Sequence, residues 1–273
     1  MRKSGHLIKA VTLLGLMFAL HFSTGAAALE SLVKELVPTG KLRVAIAVSP
    51  SPSALYVIKD ANGRYRGVAI DLGSALAQKL GVPVEFVPYL ASGAITADAN
   101  RDVWDVTFMP VDEERKKAVA FGNAYHLLQS TYLVAPGSAI KTLADANAAR
   151  VRIGGVAGTT TFRASNKVSP KATHVEVAGV AAAIDLMKAG KIDCIALSRE
   201  SLTGLLPKIP GARILDGAFL NSTSAIAVPN GKPEALAYAS QFIEEAKAAG
   251  LVRKAFDDIG LKTSQVAPAG LKP

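Results

Sequence analysis

One arginine and one glycine-threonine turn are the residues of this 273-residue chain best suited to hold a small anion. Arg115 lies in WDVTFMPVDEERKKAVAFGNAY, residues 104–125. Its planar guanidinium fits a carboxylate, and such charge-assisted bonds contribute about 1.5–3 kcal/mol each. Gly158, Thr159 and Thr160 follow the apolar run VRIGGVA, where a turn into a helix exposes N–H groups and hydroxyls. The alternatives are a solvated arginine and an ordinary helix N-cap.

A stiff polar loop is a second place for ligand contact. Ser49, Ser51 and Ser53 alternate with prolines directly after an apolar strand pattern, and Tyr56 follows them. Open α/β sheets bind ligands at the carboxyl ends of their strands, which favours contact here. The alternative is a plain surface loop with Tyr56 packed beneath it.

The sequence predicts neither a metal nor a cofactor. His, Cys, Asp and Glu do not cluster with metal-ligand spacing, and the glycine patterns that bind phosphates or dinucleotides are missing from the sequence. The single cysteine, Cys194, lies in the apolar run KIDCIAL. That setting predicts a buried strand thiol rather than a disulfide or a reactive group.

Short β-rich runs alternate with helical patterns, which predicts an α/β fold with parallel strands. The predicted strands are 42–48, 84–89, 104–109, 151–157, 173–179, 191–197, 212–217 and 224–230. Apolar residues keep helical spacing from Leu72 to Leu80 and from Val180 to Met187. Asp71 is predicted to cap the first of these helices.

The N-terminal residues are typical of a secretory signal peptide. Basic residues precede an apolar run over 10–20 and small residues that end at Ala28, the predicted cleavage site. The lack of a nearby cysteine argues against a lipoprotein anchor.

Removal of residues 1–28 takes away three basic and no acidic residues, so the formal net charge falls from +9 to about +6. The mixed remaining charges argue against a nucleic-acid interface. Residues 263–273 are predicted to form a loose tail.

The segment around Arg115 resembles the signature of family 3 extracellular solute-binding proteins, the periplasmic receptors of polar amino-acid ABC transporters. The residues that match this signature are Asp105, Glu114, Arg115, Val119, Phe121 and Tyr125. Four further segments follow in the family's order: GRYRGVAIDLGSALAQKLG, LADANAARVRIGGVAGTTTF, MKAGKIDCIAL and EEAKAAGLVRKAF. The resemblance covers residues 39–262.

The resemblance implies a two-lobed periplasmic-binding-protein fold of the type II kind. A discontinuous lobe 1, residues 29–127 and 223–273, would hold an inserted lobe 2, residues 128–222, through two crossing segments. His126, beside the first crossing, is predicted to have a packing role, with a pH-dependent hinge contact as the alternative. The predicted signal peptide without a lipoprotein cysteine predicts a free periplasmic protein, which is expected to be a monomer. The resemblance implies that it delivers its solute to an inner-membrane ABC permease.

The resemblance places Arg115 at the family's carboxylate-binding arginine, and Gly158, Thr159 and Thr160 on the opposing wall. The pocket for the α-ammonium group departs from the family. Ser198 stands where the family has an aspartate.

Other departures lie close to that pocket. Phe108 and Pro110 stand where the family has small hydroxyl residues. Ser53 replaces an aromatic residue that covers the ligand, and Tyr56 matches a family phenylalanine. An ammonium group enclosed without an anionic partner costs several kcal/mol. The sequence therefore predicts a receptor for a small carboxylate with an uncharged remainder, rather than for an ordinary α-amino acid.

Three other functions fit the same scaffold. One is a conventional amino-acid receptor, one is a ligand-loaded partner of a membrane sensor, and one is a periplasmic enzyme that resembles cyclohexadienyl dehydratases. An enzyme of that kind needs a general acid or base that faces the cleft. Asp112, Glu113 and Glu200 are the acids near the predicted cleft, and they form no recognisable pair. The prediction is therefore a receptor without catalytic activity.

Overall fold

The structure is a computed structural model that describes residues 30–49, 53 and 55–273. The predicted signal peptide and Ser51 lie outside these residues. The first helix, α1, is described over residues 30–36. The later helices are α2 Val68–Leu80, α3 Ser92–Ala97, α4 Glu113–Lys116, α5 Leu143–Ala146, α6 Thr160–Val168, α7 Val180–Lys188, α8 Arg199–Leu205, α9 Pro233–Ala248 and α10 Leu251–Asp258.

The strands follow the predicted alternation with helices. They are β1 Leu42–Ala47, β2 Ile58–Lys59, β3 Tyr65–Arg66, β4 Val84–Tyr89, β5 Val106–Pro110, β6 Val119–Val134, β7 Arg152–Val156, β8 Thr173–Val177, β9 Cys194–Ser198, β10 Arg213–Ile214, β11 Leu220–Pro229 and β12 Gln265–Val266.

Two parallel groups of strands are joined by two long antiparallel ones. The main sheet runs in the order β4-β1-β5-β11-β6-β9-β7-β8. Strands β4, β1 and β5 are parallel, as are β9, β7 and β8, whereas β11 and β6 pair antiparallel with their neighbours. This arrangement confirms the predicted α/β class with parallel strands.

Strands β6 and β11 pass from one parallel group to the other. Residues 107–110 of β5 pair with β11 at 224–227, and β9 pairs with β6 at 130–134. Between these pairings, β6 and β11 pair with each other, for example Leu127 with Thr223. These are the two predicted crossing positions, and the lobe boundaries at residues 127/128 and 222/223 stay a proposal.

Helix α2 illustrates how local sequence sets the core. Leu72 and Leu76 lie one turn apart and are both fully buried, and burial of each such side chain contributes about 1.5–3 kcal/mol. The helix begins after Gly67 and ends at Gly81 in the left-handed conformation. The predicted cap at Asp71 is wrong. Asp71 lies inside the first turn because the buried face of the helix extends back to Val68.

The sequence did not predict strand β6, although it is the longest described strand. Its residues VAFGNAYHLLQSTYLV lack a period-2 alternation, since residues 130–134 are buried in succession. The predicted strand 212–217 is shorter than expected, because only Arg213 and Ile214 pair with β6.

The C-terminal residues are attached to the fold, so the predicted loose tail is wrong. Strand β12 pairs with β6 at Leu127 and His126. Ala267 N donates to Tyr125 O over 3.1 Å. Farther along, Ala124 N donates to Leu271 O over 2.9 Å. The composition of this segment suggested disorder, but main-chain hydrogen bonds to β6 do not depend on composition.

Cys194 is fully buried within β9, as predicted. Burial raises the pKa of its thiol to about 12, so the thiolate form is suppressed at neutral pH. Over the described residues, no helix combines the length and the apolar character that crossing a membrane requires.

Candidate functional site

Arg115 is buried although its neighbours in the charged segment are exposed. It lies in α4, directly after β5, and is 1% exposed, whereas the Glu113 side chain is 86% exposed. Asp112 caps α4, because its Oδ1 accepts a hydrogen bond from Arg115 N over 2.9 Å. The solvated-arginine alternative is therefore wrong.

The Arg115 guanidinium retains free hydrogen-bonding capacity. Nη1 donates to Pro110 O over 2.9 Å, and Nη2 donates to Ser92 Oγ over 2.6 Å and to Gly158 O over 3.4 Å. Nε is also buried, and it has no partner among the residues that the structure describes. A buried donor without a partner costs about 1–3 kcal/mol, so a solute oxygen at Nε would be stabilising.

The site contains a cation and a neutral phenol at physiological pH. Burial lowers the pKa of Arg115 to about 10, and the Asp112 carboxylate opposes that shift. Burial raises the pKa of Tyr56 to about 12, and the positive charge on Arg115 partly opposes that shift. Both groups are therefore protonated at pH 7.

The Gly-Thr-Thr turn lies opposite Arg115. Thr159 caps α6, since its Oγ1 accepts from Phe162 N over 3.2 Å, and it donates to Val156 O over 2.7 Å. The Thr159 side chain thus acts as a helix N-cap, and its contact with a solute stays a proposal. The Thr160 hydroxyl donates to the Asp112 carboxylate over 2.6 Å.

Two glycines bring the backbones on the two sides of the cleft into contact. A Cβ atom added at Gly93 would lie 2.6 Å from Ala157 O and 2.8 Å from Gly158 Cα. Gly158 has a φ of +61°, which favours glycine as well. The start of α3 therefore packs against the turn before α6 with no space for a side chain.

A small cavity of about 10 Å³ remains between these elements. Its lining residues are Leu55, Tyr56, Ser92, Phe108, Pro110, Thr159, Thr160, Thr161, Leu197 and Ser198. Such a volume holds about one water molecule. A solute of several atoms can enter only if the two sides of the cleft separate.

The cavity brings together most of the predicted site residues. Those that line it are Tyr56, Phe108, Pro110, Thr159, Thr160 and Ser198, and Gly158 adjoins Arg115. Ser53 does not line it, so direct contact from its side chain is not supported. Its buried hydroxyl accepts from Leu55 N and Tyr56 N, both over 3.1 Å, and so shapes the loop.

Four residues of the lining were not predicted from the sequence, namely Leu55, Ser92, Thr161 and Leu197. Ser92 contacts Arg115 from 23 positions away in the chain. The sequence around Ser92 held no signal for this contact, whereas Leu197 belonged to a predicted strand whose carboxyl end faces the site.

Ser198 and Ser130 are two uncharged residues at the crossing between β6 and β9. Ser198 caps α8, and its Oγ lies 2.7 Å from Ser201 Oγ. Ser130 pairs with Ser198 across β6 and β9, which places the two side chains on the same face of the sheet. The Ser130 hydroxyl is buried and has no partner within the described part of the chain.

None of the described residues that line the cavity is acidic. Glu113 forms a surface pair with Lys116. Glu200 accepts from Ser264 and lies 2.8 Å from Nε2 of the fully buried His126. The prediction that His126 packs inside the protein is thus confirmed, and His126 also joins α8 to the crossing strand. Metal ligands are not clustered in the part of the chain that the structure describes.

A larger cavity of about 510 Å³ shares no lining residue with the cleft. It is lined by segments of β6, α8, β11 and the C-terminal region, including Arg199 and Glu200. The Arg199 guanidinium donates to the carbonyl groups of Leu215 and Gly217. The larger cavity includes the carboxylate of Glu200 among its lining residues, whereas the described lining of the cavity near Arg115 has no acid, so the cleft at Arg115 is the better anion site despite its small volume.

Two parallel α/β groups, joined by two long strands and facing each other across a cleft, define the class of two-lobed solute-binding proteins. The chain belongs to the bacterial extracellular solute-binding proteins, family 3, whose family profile matches residues 42–259. The resemblance that the sequence motifs predicted is therefore confirmed.

Similar proteins are named for amino acids. The chain is 26% identical over 209 residues to a glutamine-binding protein of Geobacillus stearothermophilus, which is 72% of this chain and 76% of that one. It is 27% identical over 146 residues to the ABC transporter glutamine-binding protein GlnH of Bacillus subtilis (strain 168), covering 54% and 50% of the two chains. The structure of the ancestral amino acid-binding protein AncCDT-1, a precursor of cyclohexadienyl dehydratase, matches with a TM-score of 0.73 at 29% identity, over 83% of this chain and 98% of that one.

Proposed function

We propose that this chain is the periplasmic receptor of an ABC importer and closes on a small solute with one carboxylate and an uncharged remainder. One observation carries the proposal. Arg115 does not itself line the cavity, but it is a buried cation with an unpartnered Nε among the described residues. It donates to Pro110 O and Ser92 Oγ, which belong to two lining residues of a cavity whose described lining includes no acid. A carboxylate would supply the missing acceptor and the opposite charge.

The rest of the cavity suits an uncharged group. Leu55, Phe108 and Leu197 offer apolar surface, while Tyr56 and Ser198 offer neutral hydroxyls. An ammonium group would lose its hydration without gaining a carboxylate partner, at a cost of several kcal/mol. Hydroxy, oxo and aromatic carboxylates avoid that cost.

Closure follows from contacts that a solute makes with both sides. Arg115 and Ser92 lie on one side, and the turn before α6 lies on the other. A solute stabilises the closed form only as far as it gains contacts there that the open form lacks. The lobe boundaries at 127/128 and 222/223 belong to this proposal.

The similar proteins support the receptor role and define the alternatives. GlnH is named as part of an ABC transporter, which supports delivery to a permease in the inner membrane. The glutamine-binding proteins support a conventional amino-acid receptor as the first alternative. The match to a precursor of cyclohexadienyl dehydratase supports an enzyme as the second.

A thermal-shift screen of residues 29–273 separates these functions. The panel contains the twenty amino acids and a set of hydroxy, oxo and aromatic monocarboxylates. A solute at one hundred times its Kd stabilises the folded protein by about 2.7 kcal/mol, which raises the Tm by about 5–10 °C. We expect a shift of this size from at least one monocarboxylate and a smaller one from every amino acid.

Arginine variants identify the anion site. Arg115→Gln is expected to weaken carboxylate binding at least about tenfold, since it removes one or two charge-assisted hydrogen bonds. The matched control is Arg101→Gln, because the Arg101 side chain is 71% exposed and pairs with Asp98 at the surface. Unchanged carboxylate affinity in Arg115→Gln would place the anion elsewhere.

Two further outcomes would favour the alternatives. A larger shift with a common α-amino acid than with every carboxylate would favour the conventional receptor. Turnover of prephenate or arogenate, absent from a heat-killed sample, would favour the enzyme. Mass spectrometry of solute released from gently purified protein would then name the natural ligand.

A further inference from the structure

We infer that Asp112 sets the charge of the solute: its carboxylate occupies the anion-binding donors at the start of α6 and restricts the cleft to monoanions. The inference rests on the proposed role of Arg115 as the carboxylate anchor.

Asp112 uses both carboxylate oxygens inside the protein. Oδ1 accepts from Arg115 N over 2.9 Å. Oδ2 accepts from Thr160 Oγ1 over 2.6 Å and from the Arg163 guanidinium. The side chain thus reaches from the cap of α4 to the first turn of α6.

The start of α6 would otherwise attract an anion from solution. The helix is nine residues long, and the positive end of its dipole adds to the hydroxyl of Thr160 and the charge of Arg163. Asp112 supplies the negative charge there. These donors are therefore not available to a second carboxylate of a solute.

Asp112 is ionised at neutral pH. Partial burial alone would raise its pKa, but hydrogen bonds from Thr160, from Arg115 N and from Arg163 outweigh that effect and lower the pKa. The cluster contains two cations, Arg115 and Arg163, and one anion, Asp112, so its net charge is +1. A monoanion neutralises it, whereas a dianion leaves an excess negative charge in a closed cleft.

Isothermal titration with matched pairs of acids tests the inference. The pairs are L-lactate with L-malate, pyruvate with oxaloacetate, and benzoate with phthalate. The unaltered protein is expected to bind the monoacid of a pair at least about tenfold more tightly than the diacid, because like charges repel in the closed site. In Asp112→Asn the diacid is expected to gain at least about tenfold relative to the monoacid.

Three variants separate this role from a structural one. Asparagine and threonine both cap helices well, so Asp112→Thr is the second variant if Asp112→Asn folds poorly. Adding Arg163→Gln to Asp112→Asn is expected to abolish the gain for the diacid. Asp145→Asn is the matched control, since Asp145 also accepts backbone N–H groups at a helix start, in α5, and takes no part in the cleft.

The outcomes distinguish the inference from the proposed function. An unchanged ratio of diacid to monoacid affinity in Asp112→Asn, with binding still dependent on Arg115, overturns the inference alone. Equal affinity of the unaltered protein for both acids of a pair overturns it as well. If neither protein binds any acid of the three pairs, the proposed function and the inference both fail.

Discussion

Replacing Ser198 with aspartate should convert the cleft into an amino-acid site. Ser198 lines the cavity, is 1% exposed and caps α8 by accepting from Ser201 N over 3.2 Å. Aspartate caps helices as well as serine does. The variant Ser198→Asp therefore keeps the local hydrogen bond and adds a carboxylate at the position that the sequence motifs predict to correspond to a family aspartate.

The size of the effect follows from electrostatics. A carboxylate about 4 Å from an ammonium group gains about 4 kcal/mol at an effective dielectric constant of 20. Desolvation of the buried carboxylate offsets part of this gain. We expect a net gain of about 1.4–2.8 kcal/mol for an amino acid, a tenfold to hundredfold decrease in Kd.

Isothermal titration with glutamine and arginine measures this gain. The control Ser198→Asn also caps α8 but adds no charge, and it should leave amino-acid affinity low. The Tm of each variant without solute checks that it folds. If Ser198→Asp folds and still binds no amino acid more tightly than Ser198→Asn does, the argument that Ser198 excludes the ammonium group is refuted.

Three further predictions test closure, charge and the C-terminal segment. Gly93→Ala places a Cβ atom 2.6 Å from Ala157 O, on the other side of the cleft. Because this clash hinders closure, solute affinity should fall at least about tenfold, while the Tm without solute changes little. Unchanged affinity would contradict the closed geometry. A hydrogen bond from Arg152 lowers the pKa of Asp193 in the folded protein. The ionised Asp193 carboxylate therefore stabilises the fold fully at pH values above its unfolded pKa of about 3.9, and this stabilisation is lost as the pH falls through the lower folded pKa. Asp193→Asn should therefore lower the Tm at pH 7, and a pH titration should show the difference shrinking below about pH 4. Deletion of residues 265–273 should lower the free energy of unfolding, measured in urea, by about 2–4 kcal/mol, because it removes several main-chain hydrogen bonds to β6. An unchanged urea midpoint would show that this segment is a loose tail after all.

The fold was largely predictable because the inner parallel strands β1, β5, β7 and β9 are almost wholly buried and stand out as apolar runs. Strand β6 was the exception. Its first half mixes glycine, asparagine and histidine, and its pairing with β11 joins segments about 100 positions apart. The attachment of residues 265–271 to β6 was missed for a related reason, since backbone pairing leaves little trace in side-chain composition.

The sequence singles out Arg115, the proposed anchor of the site, but it does not indicate the residues that contact Arg115. Arg115 stands in a recognisable motif, while its burial depends on Ser92 and Gly158 from distant segments. The contact between Asp112 and Thr160 spans 48 positions. These residues come together only in the folded protein, and the local sequence does not indicate which carboxylate contacts which helix N-terminus.

The roles proposed for Asp112 and Ser198 follow from one charge balance in the cleft. A zwitterionic amino acid needs a cation at one end of the site and an anion at the other. Here the anion nearest Arg115 is Asp112, and both of its oxygens are held by Arg115 N, Thr160 and Arg163. At the other end, Ser198 offers only a hydroxyl. A zwitterion would therefore leave its ammonium group unpaired and one positive charge uncompensated, whereas a monoanion with a neutral remainder balances the charge on every group.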